Sequence, residues 1–394
     1  MDLARTQALL AEHGLDGWLF YDFHNRDPIA YRVLGVDGNR HTMRRWFAWI
    51  PREGEPVKVC SAVEENRIDA APGVKIVYRG LTELKAALAQ FLRPGLKVAM
   101  QYSPDADIPY VSLVDGGTIE LVRSFGVRVM SSADLVQTLE AVIDDRGYAL
   151  HKDAGVVIDG IRRAAFDEIA LRLRAGHPCD EVGMRRWIVD RFTEHKMTCD
   201  GGEPIVAVND HAADPHFEPT AENSRPIRPG DAVLIDLWAR FDRPDGIYYD
   251  ITWCGYVGDA PSPRQVALFD LIMKARDAAV VFVQSRFQSG QGCAGWEVDD
   301  ACRAVIEQGG YGPYFVHRTG HSIGREVHGN GVNLDHLETR DSRRLVPGIC
   351  CSIEPGIYLP GELGVRTEIN VFIRHDGVAE VTGEIQRELV RIPC

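Results

Sequence analysis

The chain has 394 residues, 45% apolar and 26% charged, the balance of a soluble globular protein long enough for two or three domains. Its 57 acidic residues outnumber 44 basic ones and give a formal net charge of −13, a field that disfavours nucleic-acid binding. The opening residues lack the basic and apolar regions of a secretory leader, and no apolar run approaches the length of a membrane span. Nine cysteines, an odd number without a CxxC pair, point to reduced thiols in the cytoplasm rather than to a disulfide or zinc framework.

The first third alternates short strands and helices. A helix is expected over residues 2–13, ending at Gly14, and another over 81–92, stopped by Arg93-Pro94-Gly95. Runs at 18–21, 46–50, 57–62, 74–78 and 97–101 read as strands, so residues 1–148 are expected to form an α/β domain. It holds no catalytic constellation, and His24 and His41 read as surface or packing residues. Helical patterning dominates 132–174, where Val157, Ile161, Ala164 and Ala165 share a face. The polar stretch 145–151 reads as the domain boundary, with a second domain over 149–394. Asp180 is suited to cap a helix running through Met184, Trp187, Ile188 and Phe192.

After Pro204 the pattern turns to strands at 205–208, 232–241 and 247–257, the last two flanking a Pro/Asp/Gly hairpin turn at 242–246. Helices are expected over 262–287 and 297–308, and strands again at 349–353 and 367–374. A curved antiparallel sheet flanked by helices, with a site on its concave face, accommodates this α+β order.

Asp236 and Asp250 fall on the two strands of the expected hairpin, an even number of residues apart. Cross-strand carboxylates repel unless a cation sits between them; the plainer alternative is an arginine partner for one and a turn cap for the other. His321 lies in Gly320-His321-Ser322-Ile323-Gly324, four residues after His317 and seven before His328. A single histidine there is commonly structural, but three close together admit one metal ligand and others that bind substrate oxygen or move protons. Glu354 precedes Pro355-Gly356, and Glu368 lies in the apolar stretch 365–372, where a carboxylate is costly to bury unless paired or coordinated. Arg366 offers the simpler reading of a same-face ion pair with Glu368. Taken together, four carboxylates and one imidazole make a ligand set for two adjacent divalent cations that activate a water for amide hydrolysis. Gly290, Gly292 and Gly295 match G-x-G-x-x-G but follow a helix, so no dinucleotide site is expected. Nothing around His211 selects it.

In this order and in these motifs, residues 150–394 resemble the pita-bread metallopeptidases: methionine aminopeptidase, aminopeptidase P, prolidase and the non-metal relative creatinase. The first domain resembles the N-terminal domain of prolidase, aminopeptidase P and creatinase, which methionine aminopeptidases generally lack. The resemblance implies Asp236, Asp250, His321, Glu354 and Glu368 as metal ligands, with Asp250 and Glu368 bridging. It implies His216, in Asp214-Pro215-His216, as a substrate-side histidine, and His317, His328 and Arg366 as marks of the proline-specific branch. Three departures stand out. Trp238 replaces the usual glycine, Phe241 replaces a common tyrosine, and the loop between the two aspartates is longer than usual.

The expected activity is therefore hydrolysis of Xaa-Pro bonds by a cytoplasmic homodimer holding two divalent ions, Mn²⁺ first, with Co²⁺ or Zn²⁺ tolerated. Glu354, His328 and His216 are the expected catalytic residues; His317, Arg366, His216 and Trp238 are the expected substrate-binding residues. A dipeptidase is expected ahead of an aminopeptidase P acting on longer peptides. A creatinase-like carbon–nitrogen hydrolase and a non-catalytic peptide-binding scaffold are the other readings, and the complete ligand set speaks against both.

Overall fold

A computed structural model describes residues 1–394, which divide into two compact units, Met1–Glu140 and Ala141–Cys394. The first unit contains α1 (Leu3–Glu12), β1 (Gly17–Asp22), α2 (Pro28–Leu34), β2 (Trp46–Pro51), β3 (Val57–Ser61), β4 (Val74–Tyr78), α3 (Leu81–Leu88), β5 (Lys97–Met100), α4 (Gly116–Arg123), β6 (Arg128–Ser131) and α5 (Ala133–Val136). Its six strands form one mixed sheet in the order β4-β3-β2-β1-β5-β6. β2 is antiparallel to both β1 and β3, and the remaining pairs are parallel. Successive residues of β1 serve opposite faces. Trp18 and Phe20 pack with Leu10, Ile29 and Ala30, while Leu19 and Tyr21 pack with Leu84, Leu88 and Ile119. Helices cover both faces, as the expected α/β architecture requires. Sequence reading missed α2 and α4. Both are short, and their N-caps Asp27 and Asp115 lie in polar stretches that read as loop.

The second unit opens with α6 (Asp145–Arg174) and α7 (Glu181–Glu194), capped by Asp144 and Asp180. The polar stretch read as a boundary is thus the first two turns of a 30-residue helix. The division comes earlier, where Ala141 joins the second unit's core and Ile143 N–H donates to the Gly348 carbonyl. Then follow β7 (Met197–Thr198), β8 (Ile205–Val208), β9 (Ala232–Phe241), β10 (Tyr249–Val257), α8 (Pro263–Gln288) and α9 (Gly295–Gln308). The chain ends with β11 (Ser322–Ile323), β12 (Cys350–Ile353), β13 (Gly356–Leu359), β14 (Leu363–Arg366), β15 (Ile369–Ile373), β16 (Ala379–Thr382) and β17 (Val390–Ile392).

One sheet runs β17-β10-β9-β7, with β8 also on β9; another runs β11-β12-β15-β16, and β13-β14 is a separate hairpin. Along β9, Ile235 and Leu237 face α6 and α7, where Ile158, Ile161, Ile188 and Phe192 bury them. Leu234 faces the other core with Phe269, Ile272 and Val298 of α8 and α9. Asp236 alternates onto this second face. β10 and β15 are joined by a side chain. Asn370 accepts from the Asp250 N–H at 3.3 Å and donates to the Asp250 carbonyl at 2.7 Å. At Gly364 on β14 an added Cβ would lie 1.6 Å from the Ala212 carbonyl oxygen, so only glycine lets segment 209–213 lie against that strand. No helix is long and apolar enough to cross a membrane.

His151 of α6 ties this helix to two distant strands. It is fully buried; Nδ1–H donates to the Tyr248 carbonyl at 2.6 Å and Nε2 receives the Thr382 hydroxyl at 2.7 Å. Acceptance at Nε2 requires the neutral ring, and burial holds its pKa down at about 4. The unfolded chain protonates near about 6.5, so this histidine's contribution is complete above that pH and is lost as pH falls toward 4. In chemical denaturation, His151→Asn is expected to flatten the fall of stability between those limits. The slope removed is at most about 1.4 kcal/mol per pH unit. An unchanged slope would show that the ring does not titrate with unfolding.

Candidate active site

The β9–β10 hairpin supplies the first two carboxylates. Asp236 is paired with Thr252, and Asp250 with Trp238. The two aspartates are therefore diagonal neighbours on one face rather than directly opposite partners, since the register is offset by two residues. Thr252 stands between them and donates its hydroxyl to Glu368 Oε2 at 2.7 Å. Glu368 lies outside any strand, in the link between β14 and β15, because the chain changes partner there from β13 to β12. Its N–H donates to the Thr252 carbonyl at 3.1 Å, which fixes the link against β10.

His321 enters just before β11. Its N–H donates to Ser352 Oγ at 2.9 Å, and Nδ1 lies 3.3 Å from the Ser322 carbonyl. The Ser322 carbonyl can only accept, so Nδ1 donates to it and Nε2 is the nitrogen that faces the carboxylates and would meet a cation. Nε2 lies 3.6 Å from Asp250 Oδ2 and 3.4 Å from Glu354 Oε1. Ser352 also donates to Glu354 Oε1 at 3.2 Å. Ligand atoms of Asp250, His321 and Glu368 all fall within 4.8 Å of one another.

Arg366, buried at the end of β14, does not pair with Glu368. Its Nη2 donates to Asp236 Oδ2 at 2.5 Å, and Nε to Thr252 Oγ1 at 3.1 Å. Nη1 donates to the Pro215 carbonyl at 3.0 Å and to the Tyr358 hydroxyl at 3.2 Å. Arg366 and Glu368 are not on one strand, so the same-face ion pair read from their spacing does not form. The same network fixes His317. Its Nδ1–H donates to the Arg318 carbonyl and its Nε2 receives the Tyr358 hydroxyl, each at 2.7 Å. Both ring nitrogens are engaged, and His317 stands behind the cavity wall.

His216 and His328 line the cavity itself. The His328 ring lies 4.3 Å from that of His321 at 72°. Trp238 lines it too, two residues beyond Asp236 on the same face. The cavity holds about 410 Å³, enough for a small peptide, with the five carboxylate and imidazole ligand candidates on its wall. Thr252, Ser352, Asn370 and Tyr358 escaped sequence reading. Only Thr252 left a trace there, as the next same-face residue after Asp250.

Electrostatics give this cluster a direction. Burial pushes Asp236 up to about 7, opposed by Arg366 and reinforced by Asp250. Burial also raises Asp250, although His321 draws it back, and raises Glu368 well above the usual range with Asp250 and Glu354 adding to it. Glu354 goes the other way: burial raises it, but His321, His317 and Arg366 outweigh that and hold it low. For His321, burial is outweighed by Asp250 and Glu354, so its pKa rises. His328 is held down at about 3 by His321 first and burial second, and burial holds His317 at about 4.

Asp236 Oδ1, Asp250 Oδ1 and Glu368 Oε1 are buried with no hydrogen-bond partner. Such oxygens are costly to hide from water. Hard oxygen donors and one imidazole fit divalent cations that accept mixed O/N ligands, and cations here would satisfy all three oxygens at once.

The chain is 29% identical over 412 residues to the Xaa-Pro dipeptidase of Lactobacillus delbrueckii subsp. lactis, covering 100% of this chain and 99% of that protein. It is 29% identical over 352 residues to the probable dipeptidase PepE of Mycobacterium tuberculosis, covering 82% of this chain and 83% of that one. Dipeptidase PepE from Mycobacterium ulcerans superposes with a TM-score of 0.69 at 24% identity, over 100% of this chain and 97% of the other, a likeness of fold. The family model described as metallopeptidase family M24 matches residues 150–375. That match spans more than half of the chain and contains every ligand candidate, and the chain belongs to metallopeptidase family M24.

Proposed function

We propose that this protein is an Xaa-Pro dipeptidase working with two divalent ions, Mn²⁺ first among them. The observation that carries the reading is the set of three unpartnered, buried carboxylate oxygens beside His321 on the floor of a peptide-sized cavity. The dipeptidase names of the relatives support the substrate class. The nine cysteines are all unpaired, which suits a reducing cytoplasm. A homodimer is the assembly implied by the family resemblance.

In this reading Asp236, Asp250, His321, Glu354 and Glu368 hold the ions, which supply Lewis-acid activation of water and of the scissile carbonyl when bound. Glu354, held ionised by its cationic neighbours, takes the proton of the attacking water. His328, above His321, donates a hydrogen bond to the oxygen that gains negative charge. His216 meets the departing prolyl nitrogen from the other cavity wall. Trp238 narrows the space beside the aspartates and favours short peptides. Arg366 acts through Asp236: its donors go to Asp236, Thr252, Pro215 and Tyr358, so it orients a ligand instead of receiving the substrate carboxylate. His317 in turn orients Tyr358.

Metal removal gives the first check. Dialysis against a chelator is expected to abolish Xaa-Pro hydrolysis, and added Mn²⁺ to restore it and raise the melting temperature, since cations relieve carboxylate repulsion. A melting temperature indifferent to every divalent ion would sink the metal assignment.

Substrate length decides the activity. Xaa-Pro dipeptides are expected to be cleaved far faster than Xaa-Pro-Xaa tripeptides with Mn²⁺ present, and the reverse order would make the protein an aminopeptidase P.

His328→Ala is expected to keep metal content near normal while turnover drops about 10²–10³-fold. Turnover at the unmodified level would remove His328 from the mechanism.

Arg366→Ala is expected to lower turnover of a dipeptide and of its C-terminal amide by the same factor. A KM rise confined to the free acid would return Arg366 to the substrate carboxylate.

A further inference from the structure

One wall of the cavity carries four residues to which the reading above gives no task. Cys199, Asp200 and Gly202, from the loop after β7, and Tyr248 line it beside Trp238. The Trp238 indole packs directly on Gly202: a Cβ added there would lie 3.2 Å from both Cζ2 and Nε1. Trp238 Nε1 is buried under this contact without a hydrogen-bond partner, so packing alone, with no polar bond from the indole N–H, holds the ring against the loop.

The loop is pinned by Asp200. Its carboxylate receives Arg240 Nε at 3.0 Å and Nη2 at 3.1 Å, and the Tyr248 hydroxyl at 2.7 Å. Arg240 also donates to the Phe241 and Arg243 carbonyls at 3.2 and 2.9 Å, which fastens the clamp to the hairpin turn between the two ligand strands. Asp200 has a φ of +48° and Gly201 one of +88°, a reversal that brings the loop back over the indole. Trp238 is itself the cross-strand partner of Asp250. The clamp, the loop, the indole and the metal-type carboxylates thus form one continuous stack.

We propose that Asp200 is a specificity-determining positioning residue: clamped by Arg240 and Tyr248, it holds the 199–202 loop against Trp238 and so sets how long a peptide the cavity admits. The proposal rests on the peptidase reading. Loosening the clamp lets the indole move toward the loop and opens room beyond the second residue of the substrate.

The test is a length profile on the full-length, Mn²⁺-loaded protein, using an Xaa-Pro dipeptide and the same sequence extended by one alanine. In Asp200→Ala the tripeptide-to-dipeptide ratio of kcat/KM is expected to rise about tenfold, chiefly through the tripeptide KM. Trp238→Gly is expected to raise the same ratio, and Asp200→Ala added to it to raise it no further, because the two act in series. Asp200→Asn, which keeps an acceptor for Tyr248 and Arg240, is expected to return most of the way to the unmodified ratio. Should Asp200→Ala not fold, Tyr248→Phe removes one bond of the clamp at nearly constant volume and is expected to raise the ratio by a smaller factor. A ratio unmoved in every folded variant, or one raised additively in the double variant, overturns the proposal while leaving dipeptide cleavage intact. Cleavage of neither peptide by the unmodified protein overturns the peptidase reading, and this inference with it.

Discussion

The buried Arg366–Asp236 contact, 2.5 Å between Nη2 and Oδ2, is where the second unit's architecture and its chemistry meet. Asp236 comes from β9 and Arg366 from the end of β14, and the same guanidinium reaches Thr252 on β10 and the Pro215 carbonyl beside His216. One cation therefore gathers three strands and a cavity loop. Without it, Asp236 would stand beside Asp250 and Glu368 with no compensating charge nearby but His321. Truncating one partner of a buried ion pair costs several kcal/mol, about 3–5, because the other is left uncompensated. Arg366 hydrogen-bonds only one of the four carboxylates. Three oxygens remain unpartnered, and a cation is the economical answer to all of them.

Surrounding neutral groups set the angles. Thr252 and Ser352 each hold one glutamate oxygen, and Asn370 bonds both backbone groups of Asp250. Hydroxyls and amides suit this task because they direct a carboxylate without altering the charge count. Arginine does so by changing that count. The three neighbouring histidines divide along the same lines. His321 sits between carboxylates, His317 is locked by Tyr358 and the Arg318 carbonyl, and His328 is left at the cavity surface. Residue type is identical in the three, and burial and bonding separate their tasks.

Much of this was legible in the sequence because alternation and short motifs carry it. Strand alternation on β9 and β10 marks one face with Asp236 and Asp250, and the ordered acid and histidine motifs mark the family. Registers and partners were not legible. The two-residue offset of the hairpin depends on its turn geometry. The Arg366–Asp236 pair joins residues 130 apart, and the Asp200 clamp joins residues 40 and 48 apart. A chain read locally offers Glu368 to Arg366 as the nearest acid, and only the break between β14 and β15 sends the guanidinium elsewhere. The unit boundary was misread for a related reason: polar residues in the first turns of α6 look like a linker, while His151, buried within them, bonds residues 97 and 231 away.

His211 shows the same limit at the cavity loop. Sequence gave it no distinguishing neighbours, yet its Nδ1 lies 2.9 and 3.0 Å from the two oxygens of the fully buried Glu181. Glu181 also accepts the Val208 and Arg225 N–H groups at 2.8 and 2.7 Å, and the His211 ring packs at a tilt 4.3 Å from that of Phe217. Segment 209–217 is thus tied to α7 at one point, pressed on Gly364 at a second, and joined to Arg366 through Pro215 at a third. His216 rides on that segment. In the proposed mechanism His216 meets a substrate atom, and that role needs such support, because a misplacement of about 1 Å can lower turnover about 10²-fold. An exposed histidine on a loop gains its precision from buried groups that never touch the substrate.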